Sequence, residues 1–379
     1  MKIVHVCLAG CYTIGWSYQE NLLTKYHTKM GYKVTMITSK WIYKDGKTIY
    51  KTNKNVELDG DVKVIRLEIK GDKSVSYRFK RYIGLYDSID LEKPDILFIH
   101  GCQFLDIKTI CRYLKNKNKV KVYVDNHADF SNSGTNFISK YILHRIIWKK
   151  CAHMIEPYVK KFYGVLPSRV EFLASEYKLP REKIELLLMG IDDDLAKNIE
   201  DKIDINKDRK KLNINDNDFV IITGGKIDYA KKETLVLMKM INELSNNIKL
   251  LVFGSIIDEL IDEFNSLLSN QVIYLGWLNQ SEMINKLLIA DLAIFPGRHS
   301  VIWEQACGLG IPIIVKNWKG THHVDKGGNA FFFNDENDLK MLLEKLINNN
   351  DEYANMKNKA VEYKMNFYYS SIANKSINS

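Results

Sequence analysis

The chain has 379 residues, which is more than one ordinary domain needs and predicts two domains. Hydrophobic residues make up 46% and charged residues 27%, a balance that excludes extensive disorder, and no apolar run approaches the roughly 18 residues of a membrane span. The formal net charge of +9 favours anionic partners, which include nucleic acid, nucleotide phosphates and an anionic membrane face.

Strand and helix patterns alternate along the first half of the chain. Lys2 to Leu8 is an apolar run typical of a buried strand, and Ser17 to Glu20 has the residue types of a capping box at a helix start. The helix that follows is expected to end at Gly31, and Lys33 to Ser39 returns as a strand, which completes one βαβ unit. Two further strands are predicted at residues 95–100 and 120–124.

The same alternation restarts in the second half, after a stretch at residues 196–218 that is rich in Lys, Asp and Asn. Five further strands are predicted, at residues 219–223, 249–253, 272–275, 291–295 and 311–315. Strands that alternate with helices form parallel sheets covered by helices, so we predict an α/β fold of two Rossmann-like lobes. The domain boundary is expected near residues 186–195.

Loops that follow strands are the places to look for function, because ligands of open parallel sheets bind beyond the carboxyl ends of the strands. In the loop after residues 219–223, paired glycines permit a tight turn and a close backbone approach. Lys226 and Lys231, five residues apart, have the charge to hold two adjacent phosphates. A turn with two solvated lysines is the alternative.

The segment FPGRHSVIWEQACGLGIPIIV at residues 295–315 combines further groups of this kind. Gly297 to Ser300 would open a helix, where free N–H groups and the helix dipole favour anions. Glu304, about one turn later, has acceptor atoms for two neighbouring hydroxyls such as those of a ribose. Each feature alone is also compatible with a strand-to-helix turn and a surface glutamate, and the combination favours a ribose and diphosphate site.

Two loops of the first half also follow strands. Val124 to Asp129 places His127 among two carboxylates, a set that can bind sugar hydroxyls or move protons. A histidine that holds its own loop together is the alternative. The loop from Gly10 to Trp16, which contains Gly15, offers backbone N–H groups rather than reactive side chains.

These segments together resemble the GT-B fold glycosyltransferases, and most closely the retaining family 4 enzymes of bacterial polysaccharide assembly. TIGWSYQENLL is similar to the family's loop near the donor phosphates, and PDILFIHG and VDNHADF are similar to its next strand ends. LLLMGIDDD resembles the segment that leads into the C-terminal lobe. GGKIDYAKK resembles a Gly-Arg pair followed five residues later by Lys, with Lys226 in the place of the arginine and Lys231 in the place of the lysine.

The resemblance implies the GT-B architecture, in which two Rossmann-like doubly wound parallel-sheet domains face a central cleft. It assigns residues 1–188 to an acceptor-side domain, 189–362 to a nucleotide-sugar-binding domain, and 363–379 to a tail, expected as a helix that crosses back to the N-terminal lobe. The implied activity is hexosyl transfer from a nucleotide sugar, expected to be a UDP-sugar, to a glycan or lipid-linked glycan in lipopolysaccharide or capsule synthesis. Retention of configuration without a metal is implied as well.

The resemblance also implies roles for individual residues. His127 contacts the donor sugar, Lys226 and Lys231 hold the diphosphate, and Glu304 binds the ribose. Further donor contacts are expected at Gly15, Gly225, Gly297, His299, Ser300 and Val301. If transfer inverts the configuration, a protein base is required, and His127 or Asp129 is the candidate.

The sequence departs from the family pattern in one place. The family has two glutamates with seven residues between them, and Glu304 matches the second, whereas Pro296 stands where the first is expected. Gly297 to Ser300 instead resembles the phosphate-binding loop of plant-type GT-B enzymes. The departure bears on the donor sugar and on retention, and not on nucleotide binding.

The expected partners are a nucleotide-sugar donor and a glycan or polyprenyl-diphosphate-linked acceptor. Neither a cofactor nor a metal is expected, because no Asp-x-Asp or His cluster at metal-ligand spacing stands out in the sequence, and nucleic acid is not expected because no recognition module is present. Tyr77 to Tyr82 and Asn136 to Lys150 mix cations with apolar residues, which suits an anionic membrane surface, and core helices with basic outer faces have the same composition.

The six cysteines show no CxxC pairing, which indicates reduced thiols in a cytoplasmic protein. If the protein contacts lipid, its expected location is peripheral, on the inner face of the cell membrane. A nucleotide-sugar epimerase of the same fold and a non-catalytic nucleotide-sugar-binding partner are the alternative functions.

Overall fold

The computed structural model describes residues 1–44, 48–71 and 79–378, and of Lys44 and Thr48 only the backbone. Contacts divide the chain into two compact units, unit 1 (Met1–Leu188 with Ile372–Ser379) and unit 2 (Met189–Ser371). The segment Tyr77 to Tyr82, whose composition suits an anionic membrane surface, lies partly outside the described residues. The assignment of one domain to the acceptor and the other to the donor stays a prediction.

Unit 1 is built on an eight-stranded sheet with the order β10-β9-β8-β7-β1-β2-β6-β5. Its neighbours pair in parallel, except that β5 runs antiparallel to β6. The strands of this unit are β1 Lys2–Cys7, β2 Lys33–Ser39, β3 Trp41–Lys44, β4 Thr48–Lys51, β5 Val56–Asp59, β6 Val62–Leu67, β7 Ile96–His100, β8 Lys121–Asn126, β9 Val159–Gly164 and β10 Ile184–Leu186. Strands β3 and β4 form a separate antiparallel hairpin.

The helices of unit 1 connect these strands across the faces of the sheet. They are α1 Gln19–Lys29, α2 Leu85–Glu92, α3 Ile107–Leu114, a π-helix at Ile138–Trp148, α4 Lys149–Ile155 and α5 Pro167–Ser175. Short 3-10 turns lie at Glu156–Tyr158 and Arg181–Lys183. The last helix, α14 Tyr369–Asn378, begins in unit 2, and its residues from Ile372 onward belong to unit 1 by their contacts.

Unit 2 is a six-stranded parallel sheet with the order β13-β12-β11-β14-β15-β16. Its strands are β11 Phe219–Gly224, β12 Ile248–Phe253, β13 Val272–Tyr274, β14 Leu292–Phe295, β15 Ile313–Lys316 and β16 Ala330–Phe333. Its helices are α6 Asp193–Glu200, α7 Ile205–Lys210, α8 Glu233–Asn242, α9 Ile261–Ser266, α10 Gln280–Leu288, α11 Ile302–Gly308, α12 Glu336–Asn348 and α13 Asn350–Tyr363, with 3-10 turns at Tyr229–Lys231, Asp258–Leu260, His322–Val324 and Lys364–Phe367. The strand order reverses at β11, so the carboxyl ends of β11 and β14 flank a topological switch point.

The predicted α/β class is confirmed, and each unit has its own apolar core. The nine predicted strands are present, with ends that shift by one or two residues. The strand predicted from Ile311 begins at Ile313, after a proline that has no N–H to pair. The capping box at Ser17 to Glu20 is wrong, because α1 begins at Gln19 and its N-cap, Tyr18, makes no side-chain cap hydrogen bond.

Candidate active site

The loops after β11 and β14 meet around the side chain of Lys231 in unit 2. A Cβ added to Gly297 would lie 2.7 Å from Cγ of Lys231, and one added to Gly225 would lie 2.8 Å from its Nζ. Asp228 caps the short turn that carries the lysine by accepting a hydrogen bond from Ala230 N at 3.0 Å. Glycine is favoured on both sides of Lys231, because a side chain at position 297 would crowd the backbone and stem of the lysine, and Gly225 has a positive φ of 119° that a larger residue adopts only with strain.

Lys231 and Lys226 have different surroundings, although the sequence assigned both to the diphosphate. Burial lowers the pKa of Lys231 and a weaker interaction with Asp228 raises it, so the pKa ends below its usual value. Among the described residues, no carboxylate forms a salt bridge with its ammonium group. Lys226 is 65% exposed, and its Nζ lies 3.8 Å from Oδ2 of Asp228. Lys231 is thus a partly buried cation with room for an anionic partner, whereas Lys226 is largely solvated.

The loop after β14 carries the other predicted donor residues of unit 2 toward the start of α11. The carbonyl of Gly297 accepts a hydrogen bond from Trp318 Nε1 at 3.2 Å, which fixes the loop. Val301 is the N-cap of α11, and the first bond back onto the loop runs from Trp303 N to Ser300 O at 3.0 Å. The amides just before Trp303 are those that a helix start leaves without intrahelical partners.

Glu304 is fully buried in α11, which contradicts the alternative of a surface glutamate. Its Oε1 accepts hydrogen bonds from His299 Nε2 at 2.8 Å and from His323 Nε2 at 2.7 Å. Burial alone would raise the pKa of Glu304, and the two imidazoles outweigh that effect and hold the pKa well below its usual range. Its Oε2 is buried and has no hydrogen-bond partner among the described residues.

The same three side chains have the donor atoms of a metal site. One ligand atom each of His299, Glu304 and His323 lies within 4.8 Å of the others. The two imidazole–carboxylate hydrogen bonds account for these contacts without an ion, and the expectation of metal-independent chemistry stays a prediction. His323 is 19 residues away from Glu304 in the chain, so spacing alone did not reveal this cluster.

In unit 1, His127 lies beyond the carboxyl end of β8 and is 39% exposed. Its Nε2 is 3.5 Å from Oδ2 of Asp125, a carboxylate with no exposed surface. Desolvation lowers the pKa of His127, and the charge of Asp125, followed by that of Glu20, more than offsets this effect, so the pKa ends above its usual value. Arg169 opposes the rise.

Asp129 and Gly15, two further predicted residues of unit 1, are engaged in the structure of their own loops. Oδ1 of Asp129 accepts from Ser131 N at 2.8 Å and from the Ser131 hydroxyl, and its Oδ2 accepts from Ser168 Oγ at 3.2 Å. Gly15 has a positive φ of 77°, and its N–H donates to Asp59 Oδ1 at 3.3 Å. Of the two candidate bases, His127 has the less encumbered side chain.

An apolar cavity of about 920 Å³ lies beside the π-helix of unit 1. Phe137, Ile138 and Ile142 line it and are 70%, 55% and 43% exposed. The Nζ of Lys140, on the same helix, lies 4.8 Å from the ring centroid of Phe130. Long π-helices are rare and occur at functional sites, so this segment is a candidate surface for an apolar ligand. Among the described residues, no helix has the length and hydropathy required to cross a bilayer.

Comparison with known proteins finds a matching sequence model and several solved structures of similar fold. The sequence model of glycosyl transferases group 1 matches residues 204–363. The solved glycosyltransferase from Rickettsia africae ESF-5 is similar with a TM-score of 0.69 at 16% identity, covering 100% of this chain and 97% of that chain. HepE from Anabaena in complex with UDP has a TM-score of 0.66 at 13% identity, covering 99% and 98% of the two chains.

A third structure, WaaG, a glycosyltransferase involved in lipopolysaccharide biosynthesis, has a TM-score of 0.62 at 14% identity and covers 99% of this chain and 98% of its own. No curated protein matches the chain at a significant level of sequence similarity. At these identities the solved structures establish the fold. Residues 204–363 therefore match the model of glycosyl transferases group 1, and the chain as a whole has the GT-B glycosyltransferase fold.

Proposed function

We propose that the chain transfers a sugar from a nucleotide-sugar donor, a UDP-sugar, to a glycan or lipid-linked glycan in cell-surface polysaccharide synthesis. The observation that carries this proposal is Lys231, a half-buried cation without a carboxylate salt bridge among the described residues, held between two glycine loops at the switch point of unit 2. The similar structure of HepE, solved in complex with UDP and with UDP-glucose, supports a uridine nucleotide.

The proposed chemistry depends on the diphosphate as leaving group. Negative charge builds on the diphosphate oxygens as the glycosidic bond breaks, and a preorganised cation in a dry site stabilises that charge without reorganisation. Lys231 supplies the cation, and the amides near Ser300 supply further donors. Lys226, which is solvated in this structure, contributes at longer range or after it turns toward the donor.

Glu304 is the proposed ribose ligand, because its Oε2 has no partner among the described residues while Oε1 is held in place by two imidazoles. His299 lies on the edge of this pair and is 13% exposed. It stands in the region where the family has its sugar-reading glutamate, so we assign to it a part in the choice of donor sugar. Family 4 membership and retention are part of the same proposal.

His127 is the proposed contact to the donor sugar, and the base if transfer inverts the configuration. Its exposed ring and its buried carboxylate partner suit either role. Asp129 is the weaker candidate, because Ser131 and Ser168 already occupy its oxygens. The anomeric configuration of the product, compared by NMR with that of the donor, decides between retention and inversion.

For the acceptor, we propose a polyprenyl-diphosphate-linked glycan at the inner face of the membrane. The cavity beside the π-helix is large and apolar, and cations on the same segment, Lys140, Lys149 and Lys150, suit an anionic headgroup. WaaG, which has the same fold, is involved in lipopolysaccharide biosynthesis, which supports a cell-surface pathway.

The test compares Lys231→Met with Lys232→Met. Losing a charge-assisted contact costs about 1.5–3 kcal/mol, so the first variant is expected to bind UDP about 10- to 100-fold more weakly in a calorimetric titration. Lys232, which is 54% exposed and lies near Glu263, serves as the matched control and is expected to leave the affinity unchanged. Equal affinities in all three proteins would contradict the proposed site.

The reaction itself is tested by product analysis with UDP-sugars and a lipid-linked acceptor. Transfer that requires the acceptor supports the proposal. Donor turnover without acceptor indicates the epimerase, and nucleotide binding without release of sugar indicates a non-catalytic partner. A failure of every nucleotide and nucleotide sugar to raise the Tm contradicts all three functions.

A further inference from the structure

Three buried histidines of unit 1 form a continuous row that the proposed transfer does not use. His5 lies in β1, His27 in α1 and His100 at the end of β7, and each is at most 5% exposed. The ring centroid of His5 lies 5.1 Å from that of His27 and 5.2 Å from that of His100. Because buried polar groups are costly without partners, the hydrogen bonds of this row need a complete account.

The row is linked by four contacts of hydrogen-bond length, the last of which is shared between two oxygens. Nδ1 of His100 lies 2.8 Å from Oδ2 of Asp125, and its Nε2 lies 2.9 Å from Nδ1 of His5. Nε2 of His5 lies 3.0 Å from Nδ1 of His27. Nε2 of His27 lies 3.0 Å from the carbonyl of Ala373 and 3.0 Å from Oγ of Ser376, both in α14.

The two ends of the row determine how many protons it holds. A carbonyl and a carboxylate accept hydrogen bonds and donate none, so each of the four contacts needs a proton on a ring nitrogen. Three neutral imidazoles carry three such protons. The row is one proton short unless one ring carries two.

A proton on Asp125 would also complete the row. Burial raises the pKa of that carboxyl, but the imidazoles of His100 and His127 outweigh this effect and hold the pKa well below its usual range. The remaining alternative is a proton from the hydroxyl of Ser376 to Nε2 of His27. That hydroxyl already lies 2.8 Å from the carbonyl of Ala373, which accepts its proton. The lone pair of an unprotonated Nε2 would also be repelled by the carbonyl oxygen of Ala373, which lies 3.0 Å away. A proton on Nε2 instead serves both oxygens of α14.

Charge balance leads to the same result. Asp125 has no exposed surface, and its Oδ1 has no hydrogen-bond partner among the described residues. With three neutral rings, the row and Asp125 would hold a buried negative charge, opposed at 3.5 Å only by the partly exposed His127. With one extra proton the four side chains are neutral as a set, which avoids the cost of burying a net charge.

The ring that carries the extra proton is identified by its neighbours. Burial lowers the pKa of His5 most, and His27 and His100 lower it further, and burial also lowers the pKa of His27, to about 4. These two rings are therefore neutral, each with its proton on Nε2. His100, in direct contact with the carboxylate, takes the second proton.

We propose that His100 is a buried imidazolium whose charge keeps Asp125 ionised, and that Asp125 is the positioning residue of His127. With Asp125 ionised, Nε2 of His127 is the nitrogen that carries a proton toward it, and Nδ1 is left as the acceptor. The relevance of that acceptor to sugar transfer rests on the proposed function, whereas the protonation state of the row does not.

The row can be tested by ¹⁵N NMR on histidine-labelled protein without any substitution. At about pH 8, an ordinary imidazole with a pKa of about 6.5 is neutral. We expect one ring, His100, with both nitrogens protonated, and couplings across the N–H···N bonds that link it to His5 and His5 to His27. Three neutral rings in the row, or an unprotonated Nε2 on His27, would overturn the proposal.

The positioning role is tested on His127 itself. Asp125→Asn is expected to lower the pKa of His127, because the charge that raises it is removed. Asp129→Asn, at the other carboxylate of the loop, is expected to lower it less, because only the ion pair of Asp129 with Arg169 is lost. Glu20 is present in both variants, whereas Arg169, whose Nε lies 3.7 Å from Oδ2 of Asp129, loses that ion pair in Asp129→Asn. Equal pKa values for His127 in the two variants would refute the role of Asp125. Because these readouts need no turnover, they stand or fail separately from the transferase activity.

Discussion

The predicted donor residues of unit 2 show what residue chemistry can and cannot reveal. Glu304 stands out in the sequence by its position after a glycine turn, and the structure adds that it is buried and held by His299 and His323. His323 was not predicted, because its place beside Glu304 is set by the tertiary fold. The sequence feature that could have indicated it is the pair His322-His323 before a glycine-rich turn. Asp125 was visible as a carboxylate beside His127, but its burial was not.

At the same scale, substitution of His299 is expected to change the choice of donor sugar more than the affinity for nucleotide. In His299→Ala, Glu304 keeps its hydrogen bond from His323, so the ribose contact is retained while the group near the sugar is lost. Relative kcat/KM for UDP-glucose and other UDP-hexoses, with the Kd for UDP, measures the two effects.

His322→Ala is the control for this prediction, since His322 is an exposed histidine of the same unit that bonds Asn317 at 2.7 Å. A His299→Ala enzyme with the sugar preference of the His322→Ala enzyme would show that His299 does not read the donor.

Elements whose apolar pattern matches their burial were predictable, and elements set by distant contacts were not. Residues 3–7 of β1 are buried, as a run that is apolar except for His5 indicates, whereas the β3–β4 hairpin and β9 carry mixed residues and were missed. The composition of residues 136–150 suited either a membrane surface or a core helix, and composition does not tell an α-helix from the π-helix at Ile138–Trp148. The two helix types differ in whether a backbone N–H bonds the carbonyl four or five residues earlier, and the packing of neighbouring groups decides between them.

The π-helix also gives the prediction that belongs at this scale. If its exposed face binds membrane, Phe137→Asp combined with Ile146→Asp is expected to reduce co-sedimentation with anionic vesicles severalfold, because two side chains that are 70% and 62% exposed would no longer enter the interface. Leu91→Asp, at an 80% exposed leucine of α2, is the control for a general effect of added negative charge. The same loss in both proteins, or no binding by the parent, counts against membrane contact.

At the scale of the whole molecule, unit 1 contains residues from both ends of the described chain. Ile372, Ala373, Ser376 and Ile377 are each at most 3% exposed, and Tyr123 of β8 donates a hydrogen bond to the carbonyl of Ile377 at 2.7 Å. The sequence SSIANKSINS gave only weak support for this helix, because its apolar positions are few. The matching partners on the sheet exist only after folding.

Truncation after Ser371 is therefore expected to destabilise unit 1 selectively. Two buried isoleucines contribute about 3–6 kcal/mol, at about 1.5–3 kcal/mol each. Hydrogen exchange followed by mass spectrometry is expected to show faster exchange in β1 and α1, with exchange in β11 and β14 unchanged. Equal acceleration in both units would indicate that the helix stabilises the molecule as a whole, and no acceleration would indicate that it is dispensable.

The return of the chain to unit 1 has a consequence for biosynthesis. Domains usually fold in the order in which they leave the ribosome. Here the residues that pair with His27 and Tyr123 are made after all of unit 2, so unit 2 has its complete set of strands before unit 1 has its final helix. Unit 2 can therefore complete its folding before unit 1. Unit 1 is expected to stay accessible to chaperones and proteases until residues 372–378 have been synthesised.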